Sequence, residues 1–500
     1  MKTKCMIILI LSLLIFNTQI LSQEKFVSNV KSVTAEKIYP IKQERTGNIE
    51  ENIYTLMKKT SIPGLSIVVI KDGEIDYSKG FGVKNADTKE SADENTVYEA
   101  CSLSKPVFAF AVLKMVEKGI IDLDKPLMSY VTDEYIEKNF LRNKIEDERI
   151  RNITTRNVLT HTPGFPNWRG NSKLNINFSP GEKFSYSGEG YVFLQKVVEF
   201  ILEKSLNEIM TEYVFKPLNM ENSSYVWLDK FDELFAAKHN FLGGATGKFK
   251  PRTANAAASL HTTAVDYARF IGAIINNKGL SKETISSVLN PQTKVNSKIT
   301  ENVYWGLGWG IETGTSKYFW HWGDNGDFKC FVMASEEKKN GVIYFTNSSN
   351  GLSIAEEIVK LTLGGEHPAF STNLLTDYPR FDSPIFAFAE ILKNDGVDEA
   401  ISKFREFIKK EPAEKSILPE NNLNMLGYFY LRSNKIDDAI KLFKFNVDIY
   451  PESSNVYDSL GEAYMKKGDN ELAIKNYEKS IELNPDNTDG IEMLKRLKEK

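Results

Sequence analysis

The chain has 500 residues, of which 41% are hydrophobic and 26% charged, and a formal net charge of −4. That length calls for more than one domain, and the composition is that of an ordinary globular protein. With no large basic block, a nucleic-acid partner is not expected.

In chain order, residues 1–22 read as a signal peptide. Lys2 and Lys4 precede an apolar run from Met6 to Phe16, and Ile20-Leu21-Ser22 stands before Gln23. The run is too short for a good membrane span, so the mature chain is expected to be exported, periplasmic or secreted, without a transmembrane helix. Cys5 lies ahead of the run, unlike a lipoprotein acylation cysteine. Removing the leader leaves Cys101 and Cys330, too few for a disulfide scaffold, and their pairing stays open. Residues 23–45 read as a polar linker. Asn48 to Lys59 predicts a short helix, stopped by Ser61-Ile62-Pro63-Gly64. Leu65–Ile70 and Glu74–Phe81 predict a hairpin turning at Lys71-Asp72-Gly73.

Ala100-Cys101-Ser102-Leu103-Ser104-Lys105-Pro106 then opens an apolar segment, Val107 to Val116, that ends at Lys118-Gly119. Apolar almost all round, it predicts a buried helix capped by Gly119. Ser102 falls at the helix start, with Lys105 one turn on and on the same face. A serine hydroxyl is a weak nucleophile until a base takes its proton. A lysine becomes that base when burial and the positive end of a helix make its ammonium costly. Helix-start N–H groups also suit an oxyanion. The spacing alone is weak, because Ser22/Lys25, Ser28/Lys31 and Ser335/Lys338 match it too. Only Ser102 leads into a buried helix. Cys101 is a rival nucleophile, but no base stands at motif spacing from it.

Ile153 to Gly164 contains the turn Leu159-Thr160-His161-Thr162-Pro163-Gly164. Pro180-Gly181-Glu182-Lys183-Phe184-Ser185-Tyr186-Ser187-Gly188 precedes a predicted helix from Tyr191 to Lys204. A further helix runs from Thr262-Thr263-Ala264-Val265-Asp266 through Ile275. Strands follow between Tyr304 and Asn347, and a helix from Ser353 to Leu363 closes the region. Strands at both ends with helices between them predict an α+β domain with one sheet drawn from distant parts of the chain.

On these residues, 46–365 resembles the serine β-lactamase and penicillin-binding protein superfamily, in its class C-like branch of esterases and D-amino-acid peptidases. The resemblance is carried by Ser102-x-x-Lys105, Leu159 to Gly164, Pro180-Gly181-x-x-Phe184-x-Tyr186-Ser187, Gly306-Leu307-Gly308-Trp309 and His321-Trp322-Gly323. It implies an antiparallel sheet flanked by helices, an all-helical lobe and a site in the cleft between them. Ser102 is then the acyl-accepting nucleophile, Lys105 its proton acceptor or the charge that helps one, and Tyr186, as a phenolate flanked by Lys105, a general base. His321 takes the place of the lysine in the superfamily's Lys-Thr-Gly box, and Gly323 lets substrate backbone approach. The N–H groups of Ser102 and Asp324 form the oxyanion hole. His161 is read as structural. His239, His261 and His367 lack paired ligand spacing, so no metal or cofactor is expected.

Two departures matter. Gly188 stands where the lactamase pattern Tyr-x-Asn has its asparagine, and His321 replaces a fixed positive charge. Both point from a β-lactamase toward an esterase or peptidase. The expected activity is that of an exported serine hydrolase acting through an acyl-enzyme on small-molecule ester or amide substrates, D-amino-acid peptides included. The alternative is a catalytically weak or inactive penicillin-binding-like sensor or scaffold whose repeats bind a partner protein.

Those repeats fill the C-terminal part. Gly427, Tyr430, Ala439, Phe443 and Pro451 recur 34 residues later as Gly461, Tyr464, Ala473, Tyr477 and Pro485, the tetratricopeptide period. Ala400, Phe404 and Pro412 suggest an earlier degenerate unit, and Asp489–Lys500 a polar capping helix. Residues 366–384 read as the linker and 385–500 as an all-α repeat domain with a groove for a partner protein.

Overall fold

A computed structural model describes residues 49–170, 172–248, 250–295, 301–410 and 418–499. The expected leader (1–22) and polar linker (23–45) lie outside them, as does Pro412. Two compact units are present, Gly47–Tyr378 and the chain from Pro379 onward.

The first unit is built on an eight-stranded antiparallel sheet. Its strands are β1 (Gly64–Lys71), β2 (Glu74–Gly82), β3 (Thr293–Lys294), β4 (Val303–Trp305), β5 (Gly310–Glu312), β6 (Tyr318–Asp324), β7 (Lys329–Ser335) and β8 (Asn340–Thr346), in the order β2-β1-β8-β7-β6-β5-β4-β3. The N-terminal hairpin joins the late strands through β1 and β8, in register from Leu65 opposite Thr346 to Ile70 opposite Gly341. Every residue of β7 is buried, which is why that strand reads as nearly continuous apolar sequence.

Five longer helices complete the frame: α1 (Ile49–Lys59), α2 (Ser104–Glu117), α3 (Gly188–Leu202), α4 (Ala264–Ile275) and α5 (Ala355–Thr362). Both α4 and α5 pack on β8, and α4 also covers β1. Helix α2 is buried from Ser104 to Leu113, as its unbroken apolar pattern requires, and Gly119 follows its end at φ +67°. Helix α3 starts at Gly188, three residues before the expected Tyr191. The hydroxyl of Ser187 accepts the Gly190 N–H at 3.0 Å and so caps the helix there.

The stretch expected as a linker, 366–384, divides. Residues up to Tyr378 fold onto the first unit, although their Pro and Asp content resembles a connector. The Glu312 carboxylate takes the His367 imidazole at 2.5 Å and the Ala369 N–H at 3.2 Å. Phe370 lies on Phe331 with ring centroids 5.2 Å apart, and the Tyr378 hydroxyl donates to Asp324 at 2.8 Å.

In the second unit, seven helices are described from Pro384–Asn394 to Thr488–Lys498. The glycines found by their period lie where helices cross. A Cβ on Gly427 would meet the Phe443 ring at 2.4 Å, and one on Gly461 would meet the Tyr477 ring at 3.2 Å. Tyr428 donates to Glu462, its neighbour one repeat on, at 2.8 Å. Among the described residues, no helix is long and apolar enough to cross a membrane.

Candidate active site

Ser102 sits in a single 3₁₀ turn, Cys101–Leu103, that leads directly into α2. Cys101, just before it, has φ +51°, a left-handed conformation unusual for a side chain of its kind. The strain is held by packing: Cys101 is fully buried, and its thiol faces the carbonyls of Glu99 and Phe328, each at 3.4 Å. Burial, with Cys330 beside it, pushes the thiol well above its ordinary range. Enclosure and the raised pKa both work against Cys101 as a thiolate nucleophile. Cys101 and Cys330 are both free.

Lys105 is fully buried, with Nζ 3.0 Å from Ser102 Oγ and 2.9 Å from the carbonyl of Ala257. It makes no ion pair among the described residues. Around the nitrogen stand the rings of Tyr186 (4.8 Å to the centroid), Tyr191 (5.8 Å) and Trp168 (5.9 Å). Removal from water lowers the Lys105 pKa to about 7. A lysine of that pKa is part amine at neutral pH. It can take the Ser102 proton on its lone pair while donating to Ala257.

Tyr186 is half-buried, and its hydroxyl is enclosed away from water near that of Ser102. Burial raises its pKa, and the nearby Ser102 hydroxyl offsets only part of that. A phenolate, the expected form, is thus disfavoured, and Tyr186 is a neutral phenol facing the lysine. His161 lies behind it, with ring centroids 4.3 Å apart, and its Nδ1 accepts the Ser187 N–H at 3.0 Å.

His321 is fully buried in β6 and stacks on Trp322 at 5.3 Å. Its Nδ1 lies 2.7 Å from the Trp322 carbonyl. A carbonyl only accepts, so this nitrogen carries the proton and Nε2 presents a lone pair. Burial, then the charge of Lys105, lowers the His321 pKa to about 3. The imidazole is neutral at physiological pH and supplies no positive charge for a substrate carboxylate.

Strand β5 pairs with β6 from Tyr318 to Trp320, and β6 continues past it to Asp324. There the Ser102 turn packs on the sheet. A Cβ on Gly323 would lie 2.8 Å from both the Ala100 carbonyl and Cys101 Cβ, so only glycine permits this approach. The Asp324 carboxylate is turned to Lys329 and Tyr378. The Ser102 N–H belongs to the helix-start groups that lack an intrahelical acceptor.

Ser102, Lys105, Tyr186 and His321 thus lie together, with Gly323 against the turn that carries Ser102. The sequence reading missed the Ala257 carbonyl, Tyr191, Trp168 and Tyr378. None carries a local signal, and each reaches the site only through the fold. No group of three or more His, Cys, Asp or Glu side chains suited to a metal is found among the described residues.

The strained turn at Cys101 thus feeds a buried helix, with a desolvated lysine just inside it. The chain belongs to the beta-lactamase family, whose model matches residues 49–361, more than half of its length. Members of that family are serine hydrolases and acyltransferases. A tetratricopeptide repeat model matches residues 459–487.

Protein flp of Staphylococcus aureus strain MW2 is 23% identical over 332 residues, which cover 60% of this chain and 64% of that protein. The chain thus spans less than two thirds of that relative's length. Penicillin-binding protein 4* of Bacillus subtilis strain 168 is 21% identical over 380 residues, 66% of this chain and 77% of that one. Among solved structures, the octameric penicillin-binding protein homologue from Pyrococcus abyssi aligns with a TM-score of 0.55 at 25% identity, over 69% of this chain and 80% of that one. The D-alanine carboxypeptidase AmpC from Burkholderia cenocepacia aligns with a TM-score of 0.52 at 18% identity, over 60% of this chain and 93% of that one, and shows the shared fold.

Proposed function

We propose that the protein is an exported serine hydrolase that cleaves small ester or amide substrates through an acyl-enzyme on Ser102. The observation that carries this reading is the Lys105 nitrogen, 3.0 Å from Ser102 Oγ and desolvated to a pKa of about 7. The neutral amine takes the hydroxyl proton as Oγ attacks the scissile carbonyl. The N–H groups of Ser102 and Asp324 receive the oxyanion. Tyr186, as a neutral phenol, passes a proton from Lys105 to the leaving group and restores the pair when water attacks the acyl-enzyme. Without a cation at His321 or an amide side chain at position 188, esters and weakly polar amides suit the site better than β-lactams.

The test is treatment of the full-length protein with a fluorophosphonate, followed by peptide mass spectrometry. A single adduct on Ser102, absent from Ser102→Ala, is expected. Failure to label, together with no turnover of any ester or D-alanyl peptide, leaves the sensor or scaffold reading in its place.

A further inference from the structure

We infer that Trp168 sets the substrate class of this site: its indole is the wall on which a flat apolar group next to the scissile carbonyl packs. The inference rests on the acylation reading for Ser102.

Trp168 is 46% exposed, unusual for the largest apolar side chain, yet its loop is tied down on both sides. The Asn167 carbonyl accepts the N–H groups of Gly188 and Glu189, each at 3.1 Å, and its side-chain oxygen takes the Gly188 N–H at 3.0 Å. The Ser187 hydroxyl donates to the Pro166 carbonyl at 2.9 Å. The Arg169 guanidinium meets Glu189 at 2.6 Å with both side chains mostly buried, and the Arg169 N–H adds a bond to the same carboxylate at 3.1 Å. A half-exposed aromatic between such anchors is preorganised, so a ligand that covers it does not have to order it.

The position of the ring says what it faces. Its centroid is 5.9 Å from the Lys105 nitrogen, which itself bonds Ser102. A Cβ on Gly188 would lie 2.7 Å from the outer edge of the indole, so the ring takes the space that a side chain at position 188 would use. Where a polar side chain at 188 could hold an amide, the cleft presents an apolar face. Tyr186, the other ring at this nitrogen, packs on Trp322 at 4.9 Å, and His321 is neutral. The lining fits an ester or thioester whose acyl group carries an aryl or similar flat apolar substituent and no carboxylate. Such groups pair with an indole by offset or edge stacking.

The experiment compares S-ethyl thioacetate with S-ethyl phenylthioacetate on the full-length protein, following release of the common thiol. Phenyl thioacetate, with the aryl group on the leaving side, serves as a third substrate. Wild type should prefer the phenylacetyl over the acetyl thioester by about tenfold or more in kcat/KM, the discrimination an apolar pocket gives. Trp168→Ala should bring that ratio close to one, and Trp168→Phe should restore most of it. A ratio unchanged in Trp168→Ala, with Ser102 still labelled by fluorophosphonate, overturns the inference and leaves the acylation reading standing. A Trp168-dependent preference seen only with phenyl thioacetate overturns the assignment to the acyl side. Neither labelling nor thiol release above Ser102→Ala overturns both readings, and the missing label identifies acylation as the fault. If Trp168→Ala does not fold, Trp168→Leu provides the same ratio.

Discussion

The imidazole of His161 and the ring of Tyr186 lie face to face, 4.3 Å between centroids and tilted by 34°. His161 takes this place at φ +56°, with its Nδ1 spent on the Ser187 N–H. It therefore fixes both the phenol it backs and the start of α3. His161→Ala removes a buried ring and leaves a buried N–H without an acceptor. The expected loss of unfolding free energy is about 3 kcal/mol. Denaturant titration measures it, and the rate of Ser102 labelling should fall because Tyr186 loses its support. A stable variant that labels at the wild-type rate contradicts the positioning role.

The pH profile separates the two basic candidates. If Lys105 is the acceptor, kcat/KM for acylation rises with pH around a midpoint near 7, where its amine forms. Tyr186→Phe should lower the plateau and keep the midpoint, because burial holds the phenol protonated across this range. Lys105→Arg should abolish the rise. A midpoint that disappears with Tyr186→Phe would transfer the base to tyrosine.

The same lysine should make stability depend on pH. Its folded pKa, about 7, lies below the ordinary lysine value of 10.5. Over that window the unfolded chain binds more protons, so stability increases as pH rises. Between about pH 6 and pH 9 the gain from this group is roughly 2–3 kcal/mol. Lys105→Met, inactive but free of the buried charge, should lack this component. The difference in unfolding free energy between variant and wild type should shift toward wild type by that amount across the range. Parallel denaturant curves at the two pH values decide it, and parallel behaviour of both proteins refutes the shift.

Gly188 and Trp168 should be energetically coupled. Gly188→Ala forces a Cβ to within 2.7 Å of the indole and 2.9 Å of the Asn167 carbonyl. Overpacking of this kind destabilises by about 1–3 kcal/mol. With Trp168→Ala in the background, the ring contact is gone and only the carbonyl remains. A double-mutant cycle should give a coupling of about 1 kcal/mol or more. Strict additivity would mean that the ring does not occupy the space beside Gly188.

Much of this was legible along the chain because it is local. The unbroken apolar run after Ser102 is what a helix buried on every side requires, and the structure buries it. The hairpin at Lys71-Asp72-Gly73 and the 34-residue period of the C-terminal helices follow from turn chemistry and helix crossing within short windows. The misjudged positions are ones where a distant contact overrides local composition. Residues 366–378 resemble a linker, but Glu312 and Asp324 anchor them. Tyr186 reads as a phenolate beside a cation, but burial by the surrounding rings keeps it protonated.

The sequence by itself set Lys105 three residues after Ser102 at the entry of a helix buried on every side, which singles this pair out from the other three. It also determined the repeat architecture and the two departures, Gly188 and His321. What makes Lys105 a base was decided only by the tertiary structure. The Ala257 carbonyl that receives its proton-bearing side is 152 residues away, and the rings that exclude water come from three separate loops and helices. Desolvation is a property of everything packed around an atom, so no spacing along the chain encodes it.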